Sequence, residues 1–401
     1  MTIEEAVAMV AKRLTVAATS ETVPLHRADG RIAAQDVLAR NDLPPFANSA
    51  VDGYAVRHAD LAADGETLLP IGGRIAAGGT EPVSAAGRAI RIFTGAAMPS
   101  DADTVFMQED VTVTDGSVRL PAGLKRGANM RPAGEDVAQP SVIIAEGRRL
   151  KPQDIALAAA TGHKTITVRR PLRVAIFSTG DELVEPGGKL GPGAIYDSNR
   201  IMLAALLARL GVKVLDFGIM RDEPEALAER LAQAAEHNDL ILSSGGVSLG
   251  EEDHVKAAVE ATGQLVFWRL AIKPGRPLAM GMVKGTPFVG LPGNPAAAYV
   301  TFAFFVRPLL AHLGGAAPVP LMPLRVRSTF AMKKRPGRRE YVRVSIARAA
   351  DGVLEARKFP KEGAALLTSL TLSDGLAELA DDATGVAVGD MIAFHPHDAF
   401  L

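Results

Sequence analysis

Three short segments rich in glycine and hydroxyl side chains have the composition of anion-binding loops. They are Ser178-Thr179-Gly180-Asp181-Glu182, residues 243–253 (Ser-Ser-Gly-Gly-Val-Ser-Leu-Gly-Glu-Glu-Asp) and Leu291-Pro292-Gly293-Asn294-Pro295. Each follows an apolar run that predicts a β-strand. Glycines let backbone amides approach an anion, and hydroxyls add further donors. Because ligands of open parallel sheets bind where strands end, beside helix N-termini, the three segments predict one shared site.

The same segments carry carboxylates that would gather on one rim, namely Asp181, Glu182, Glu251 and Asp253. Like charges so close together need a cation or a proton between them. Ordinary helix caps and turns would use the same residue types. Three such segments at successive strand ends favour a site over caps alone.

Two acidic turns and one basic segment add further chemistry. Residues 48–54 contain Asp52 and residues 134–137 contain Asp136, although acidic residues beside glycine are also typical of simple turns. Residues 268–277 hold Arg269, Lys273 and Arg276 in a Pro/Gly frame, which suits fixed contacts to an anion. Trp268 is expected in a core or at a contact between domains.

Composition and missing motifs exclude several classes of protein. There is no cysteine, which excludes disulfides, thiol catalysis and cysteine-ligated metals. The net charge of -1 argues against a nucleic-acid-binding protein. HExxH, Walker A and GxGxxG motifs do not occur. With no signal-peptide pattern at the start, and with residues 296–306 too short to span a bilayer, we expect a cytoplasmic protein without membrane contact.

Strands and helices must alternate to position these segments. Apolar runs at 172–177, 213–219, 240–242 and 288–291 predict strands, and periodic segments at 200–210, 224–235, 254–261 and 295–313 predict helices. Ser198 and Asn199 are the expected caps of the first helix. The alternation predicts an α/β domain, a central parallel sheet with helices on both faces.

The rest of the chain predicts an α/β multi-domain protein. Residues 1–45 together with 140–170 form a helical or linker domain, beginning with a capping box at Thr2 and Glu5. Residues 46–139, with short apolar runs between glycines and prolines, form a β-rich domain. The α/β domain covers 171–316. Residues 317–401, which follow a Pro-rich hinge, form a small C-terminal β-barrel or sandwich.

As an ordered set, the motifs closely resemble the bacterial molybdopterin molybdenumtransferase family, which is homologous to the C-terminal domain of gephyrin. The resemblance covers nearly the whole chain, and it is specific as a set although each motif alone is weak. The shared segments are 43–46, 48–50, 52–55, 92–96, 134–137, 178–183, 196–199, 244–248, 273–277 and 291–295.

The resemblance implies molybdenum cofactor biosynthesis. It implies an enzyme that inserts molybdenum from molybdate into adenylylated molybdopterin, with Mg²⁺-dependent release of AMP. The α/β domain would then be the molybdopterin-binding domain. An elongated homodimer is also implied, with the pocket between the α/β domain of one subunit and the β-rich domain of the other. A molybdopterin adenylyltransferase and molybdoenzyme apoproteins are the expected protein partners.

Matching the motifs residue by residue gives an expected site. The expected catalytic residues, handling metal, water or molybdate, are Asp52, Asp136, Glu182, Asp222 and Asp253. Of these, the expected metal ligands are Asp52, Asp136, Glu182 and Asp253. The expected substrate-binding residues are Thr94, Gly180, Ser244, Gly245, Gly246, Ser248, Arg269, Lys273, Arg276, Pro292 and Asn294.

Two positions depart from the family pattern, and two other functions stay open. Ala47 stands where the family usually has Asp, and Gly363-Ala364 stands where Gly-Ser is expected. Each change removes a polar side chain that could contact a ligand. One alternative is a non-catalytic binding platform, which the retained carboxylates disfavour. The other is an adenylyltransferase acting one step earlier, which the β-rich and C-terminal domains disfavour.

Overall fold

The structure is a computed structural model that describes residues 1–79, 82–221, 224–245 and 254–400. Its helices are Ile3–Arg13, Pro152–Ala160, Asn199–Arg209, Pro224–His237, His254–Thr262, Pro295–Thr301, Arg307–Leu313 and Thr368–Thr371. A π-helical turn, Phe302–Val306, joins two of these into one continuous helix, Pro295–Leu313. Four of the expected site residues, Asp222, Gly246, Ser248 and Asp253, lie outside the described ranges.

Residues near the N-terminus and around position 155 share a small core. Ser20–Pro24 pairs antiparallel with Thr165–Arg169, and Val37–Leu38 pairs with Val142–Ile144. Helix Pro152–Ala160 packs against these short strands. The first helix, Ile3–Arg13, instead contributes to the core of the α/β domain. It starts with the expected capping box, in which the side chains of Thr2 and Glu5 bond each other's backbone N–H.

The β-rich region forms one six-stranded sheet. Its order is Thr104–Met107, Gly53–Val56, Ala89–Ile92, Thr67–Ile75, Ser117–Leu120 and Thr112–Thr114. The last two strands are a hairpin around Asp115 and Gly116, which have φ of 48° and 76°, as the Asp-Gly sequence predicts. A short pair, Asn48–Ser49 with Met130–Arg131, lies beside the sheet. Two hydrophobic clusters of its own stabilise the region.

The central sheet of the α/β domain has six strands. Its order is Lys213–Met220, Arg173–Thr179, Leu240–Ser244, Thr286–Leu291, Pro277–Val283 and Gly263–Arg269. The first four are parallel, and Pro277–Val283 runs antiparallel to both of its neighbours. The expectation of a central parallel sheet is therefore wrong for strand Pro277–Val283, and the sheet is mixed. Pro277–Val283 returns through the tight turn at Lys284-Gly285, so no crossover helix is needed and its direction reverses.

Helices cover both faces of this sheet. Asn199–Arg209 and Pro295–Leu313 pack on one face, and Pro224–His237 and His254–Thr262 on the other. Pro295–Leu313 is the one helix in the described ranges with the length and hydropathy of a membrane span, yet 78% of its apolar 18-residue stretch is buried inside the protein. This burial is typical of a core helix. Trp268 is also a core residue and packs edge-on against Phe305, at 6.0 Å between ring centroids.

The C-terminal region is a closed barrel. Its five strands follow the order Arg339–Arg348, Leu354–Lys358, Leu324–Ser328, Met391–Pro396 and Gly375–Leu379, and the last pairs again with the first. This closure selects the barrel over the sandwich. Two further short strands, Met332–Lys333 and Gly385–Val386, pair with each other. The short strand Ile272–Lys273 of the α/β domain pairs with Arg339–Arg348 and so connects the two domains.

Candidate active site

The glycine-containing segments meet at the carboxyl edge of the central sheet, as expected. The backbone N–H of Gly245 donates to the carbonyl of Leu291, at 3.1 Å. Asn199 Nδ2 donates to Ser244 Oγ at 3.0 Å and to the carbonyl of Gly293 at 2.8 Å. One amide therefore fixes the second and third segments relative to each other. Asn199 was expected as a helix cap and as part of the family segment 196–199, but not as the link between these two segments.

Close packing of the backbone explains the glycine at position 245. Gly245 has φ of +87°, and a Cβ there would lie 2.7 Å from the carbonyl oxygen of Thr179. A side chain at this position would push the first and second segments apart. Glycine thus allows the ends of two neighbouring parallel strands to approach each other.

Three buried polar atoms at this edge have no hydrogen-bond partner in the described part of the chain. They are Thr179 Oγ1, Ser243 Oγ and Asn199 Oδ1. All three residues are more than nine-tenths buried. Leaving such groups unpaired costs about 1–3 kcal/mol each. Unpaired polar groups are typical of a surface that a polar ligand completes.

A buried ion cluster supports the first segment from below. Ser178 Oγ donates to Asp197 Oδ1 at 3.1 Å, and Arg200 Nε donates to Asp197 Oδ2 at 2.8 Å. Arg200 also pairs with Glu185 at 2.6 Å and with Asp216. The side chains of Asp197 and Arg200 are only 2% and 4% exposed. Ser198 makes no side-chain capping bond, and Asp197 bonds the Arg200 N–H instead.

Glu182 stands at the edge of the sheet with its carboxylate folded over Gly180. Gly180 has φ of +144°, and a Cβ there would lie 2.5 Å from a Glu182 carboxylate oxygen. Glu182 is exposed, and its side chain makes no hydrogen bond or ion pair with another described residue. The geometry leaves this carboxylate free to contact a ligand or a cation.

The basic segment lies between the α/β domain and the barrel. Lys273 Nζ pairs with the buried Glu340 of the barrel, at 3.2 Å. The Arg276 carbonyl accepts from the N–H of Leu270, at 2.8 Å, which closes the turn. Arg269 and Arg276 are exposed. Neither forms an ion pair within the described ranges, so their charges are available to an anion.

The barrel itself reaches the third segment. The carbonyl of Ala364 accepts from the N–H of Ala296, at 2.9 Å, at the start of helix Pro295–Leu313 and two residues after the exposed Asn294. Arg343 Nη2 donates to the Gly363 carbonyl, also at 2.9 Å. The departure at Ala364 thus lies against the predicted site. Sequence reasoning missed Arg343 because nothing in the barrel's alternating pattern distinguishes it.

Two of the expected residues, Asp52 and Thr94, come together in the β-rich domain. Thr94 donates to Asp52 Oδ1 from both its backbone N–H and its Oγ1, each at 2.8 Å. These bonds, the backbone one first, lower the pKa of Asp52 below its usual value. Asp136, near the end of the β-rich domain, donates its N–H to the carbonyl of Leu43 in the predicted helical or linker domain, at 2.9 Å. Its exposed carboxylate makes no hydrogen bond with another described residue.

The expected residues therefore fall into two groups within one chain. Asp52, Thr94 and Asp136 belong to the β-rich domain, whose hydrophobic clusters are separate from those of the α/β domain. Glu182, Lys273 and the glycine segments belong to the α/β domain. In the described ranges, no three acidic or histidine side chains come close enough to hold a metal ion.

A groove of about 520 Å³ lies elsewhere, among residues 35–40, 139–140 and 163–167. None of the expected site residues lines it. The two histidines near the C-terminus are likewise separate from the site. His397 bonds Tyr299 and Ser373, and the buried His395 pairs with Glu378, so both have partners in the barrel.

Comparison with known proteins identifies the family. Residues 1–162 match the MoeA N-terminal region (domain I and II), residues 175–312 a probable molybdopterin binding domain, and residues 325–397 the MoeA C-terminal region (domain IV). The molybdopterin molybdenumtransferase of Haemophilus influenzae is 36% identical, with 100% of both chains covered. The chain belongs to the molybdopterin molybdenumtransferase family. This confirms the identification from the motifs and places the chain among the transferases of molybdenum cofactor biosynthesis.

Other members of the family agree over most of the chain. The molybdopterin molybdenumtransferase of a Nostoc species is 38% identical, covering 84% of this chain and 80% of its own. The crystal structure of the molybdopterin biosynthesis moeA protein from Pyrococcus horikoshii is 28% identical, with a TM-score of 0.83 over 99% of this chain and 100% of that one. The multi-domain arrangement of α/β domain and closed barrel is therefore that of the family.

Proposed function

We propose that this protein inserts molybdenum from molybdate into adenylylated molybdopterin and releases AMP. The observation that carries the proposal is the carboxyl edge of the central sheet, within the region matched to a molybdopterin binding domain. There, Thr179, Ser243 and Asn199 offer three buried polar atoms without partners. A pterin carries amide and amino groups that can complete such atoms. A phosphate or molybdate would lie over the exposed cations nearby.

The cations of the basic segment suit the anionic parts of the substrates. Arg269 and Arg276 have no carboxylate partner among the described residues, and a guanidinium can bind two phosphate oxygens at once. Lys273 shares its charge with Glu340 at 3.2 Å. An incoming oxyanion would compete with this pair. We assign Lys273, Arg276 and Arg269 to the phosphate and molybdate oxygens.

The carboxylates suit water and cation handling. Asp52 is held by two hydrogen bonds, and Glu182 and Asp136 are exposed and unpaired among the described residues. Mg²⁺ is commonly held by one or two carboxylates together with substrate phosphates. This donor set fits such a site without a dedicated cage of three protein ligands. When bound, Mg²⁺ would neutralise charge on the phosphates. Asp222 and Asp253 remain proposed members of the set.

A homodimer would bring the two groups of residues together. Asp52 and Lys273 lie in domains with separate cores. In a symmetric pair of chains, Asp52 of one chain would lie beside Lys273 of the other. Mixing Asp52→Asn and Lys273→Met variants tests this arrangement. Random mixing leaves one intact site in half of the dimers, so about a quarter of wild-type activity should return. No recovery in a mixture shown to exchange subunits would contradict the shared site.

The insertion itself is tested by following the metal. The protein is incubated with adenylylated molybdopterin, Mg²⁺ and molybdate, and molybdenum in the isolated pterin fraction is measured by elemental mass spectrometry. We expect molybdenum to accumulate in that fraction, and a Lys273→Met variant to accumulate far less. A pterin fraction free of molybdenum, with intact substrate, would overturn the proposal. A cytoplasmic location and contacts with an adenylyltransferase or with molybdoenzyme apoproteins stay predictions.

A further inference from the structure

Arg91 makes a set of contacts that the proposed reaction leaves unexplained. It lies on strand Ala89–Ile92 of the β-rich domain and is half-buried. Its guanidinium lies 4.9 Å from the centroid of the Phe93 ring and 5.2 Å from that of Tyr54. It forms no ion pair with a carboxylate in the described ranges. Because a buried charge is costly without partners, this cation depends on its ring contacts and hydrogen bonds.

Arg91 contacts residues next to Asp52 and Thr94 in the sequence, but it makes no hydrogen bond with either of the two. Arg91 Nη1 donates to the carbonyl of Gly53, the residue after Asp52, at 3.2 Å. Its other contact, the Phe93 ring, belongs to the residue before Thr94. One planar group therefore holds the chain on both sides of the Asp52–Thr94 pair.

A third contact of Arg91, with Gln108, also supports the backbone of Asp52. Arg91 Nη2 donates to the side-chain oxygen of Gln108. The backbone N–H of Gln108 in turn donates to the carbonyl of Asp52, at 3.0 Å. The backbone of Asp52 is thus fixed from a third direction, through a residue that Arg91 itself orients.

We propose that Arg91 is a positioning residue that holds the Asp52 carboxylate and Thr94 in the geometry used by the transferase reaction. The inference rests on the proposed function, because it gives Asp52 a role in turnover. Three features of the guanidinium matter together: its plane stacks on rings, its two nitrogens bond two oxygens, and its charge faces Asp52. Lysine supplies only the charge.

Two substitutions separate the geometric effect from the charge effect. Arg91→Lys keeps the charge and loses the stacking and the paired bonds, whereas Arg91→Gln loses all three. Arg74→Gln is the matched control. Arg74 pairs in register with Arg91 and lies 4.8 Å from the same Phe93 ring, but it has no hydrogen bond to Gly53 or Gln108.

The measurements are kcat and KM for AMP release, and the melting temperature. We expect both Arg91 variants to lower kcat, by up to about a hundredfold, with little change in KM. Arg74→Gln should have the kcat and KM of wild type. A loss of activity explained by melting alone, or an unchanged kcat in both Arg91 variants, would overturn the proposal.

A readout without activity keeps this inference distinct from the function itself. In crystal structures of wild type and Arg91→Gln, we expect the distances from Asp52 Oδ1 to Thr94 N and Oγ1 to lengthen beyond hydrogen-bond range. Unchanged distances would overturn the positioning role, even if the enzyme turns over as proposed. If wild type releases no AMP, the proposed function fails, while the crystal structures still decide whether Arg91 fixes this pair.

Discussion

Both hydrogen bonds that Thr94 donates end on the same oxygen of Asp52, Oδ1, at 2.8 Å each. Oδ2 is left without a bond to any described residue, so one face of the carboxylate is held and the other is available. This is the arrangement expected of a carboxylate that must be ionised and oriented at once. It lies in the β-rich domain, whose hydrophobic clusters are separate from those of the α/β domain.

Thr94→Val tests whether this carboxylate works in its ionised form. The bonds from Thr94 lower the pKa of Asp52, and valine keeps the backbone N–H while removing the hydroxyl. The pKa should rise part of the way towards its usual value. The acid limb of kcat/KM should therefore move to higher pH, with activity falling more at low pH than near neutrality. Thr114→Val, on an exposed strand, is the control. Superimposable profiles for Thr94→Val and wild type would contradict the role.

The buried ion cluster under the first segment predicts a large effect on stability. Arg200→Leu leaves Asp197, only 2% exposed, without its charged partner. Removing one member of a buried ion pair typically costs about 3–5 kcal/mol. Urea unfolding should show this loss. Arg209→Leu, at an exposed position on the same helix, should change the free energy of unfolding by less than about 0.5 kcal/mol. Equal effects of the two changes would argue against the cluster as a support.

Two glycines separate backbone strain from steric contact. Gly245 and Gly187 have φ of +87° and +89°, but only at Gly245 would a Cβ meet an atom within 4 Å, the Thr179 carbonyl oxygen at 2.7 Å. Gly187→Ala should cost about 1–2 kcal/mol in unfolding free energy through its backbone conformation alone. Gly245→Ala should cost about 1–3 kcal/mol more and weaken pterin binding. Calorimetric titration with molybdopterin measures the change in pterin binding. Intact binding by Gly245→Ala would remove this contact from the site.

The departure at Ala364 predicts a gain of affinity on reversal. Its carbonyl bonds the N–H of Ala296 at a helix start, and a change of side chain leaves that bond in place. Ala364→Ser adds a hydroxyl donor beside a helix N-terminus, which favours an anion. One added hydrogen bond should lower KM for molybdate by up to about tenfold. Ala365→Ser, at the exposed neighbouring position, should leave KM unchanged. An equal response to both serines would contradict the placement of Ala364 at the site.

The elements around the site were predictable because their signals are local. The buried strand Leu240–Ser244 and helix Pro295–Leu313 are continuous apolar runs, and Asp115-Gly116 specifies its own turn. Strand Pro277–Val283 was not predicted, because it starts at a proline and directly follows the Pro/Gly frame of the basic segment. Such a composition is typical of a loop. Its antiparallel direction depends on pairing with Thr286–Leu291, and no single segment encodes that pairing.

The residue types of the candidate site could be predicted from the sequence, but the contacts between distant residues could not. Glycines and hydroxyls after strands predicted that the three segments meet at the carboxyl edge of the sheet, and their described residues do meet there. The bond from Asn199 to Ser244 joins residues 45 positions apart, and the contact of Ala364 with Ala296 joins two domains. Such contacts arise from tertiary packing, which the spacing of residues along the chain does not reveal. For the same reason, Arg91 looked like an ordinary strand residue.

The central claim is that adenylyl release is coupled to molybdenum insertion. It is tested most directly by the rate of AMP release from adenylylated molybdopterin and Mg²⁺, measured with and without molybdate on the same preparation. We predict that AMP appears much faster with molybdate, and that Lys273→Met removes the difference. Equal rates with and without molybdate would contradict coupled insertion. Consumption of ATP to adenylylate free molybdopterin would instead identify the enzyme of the preceding step.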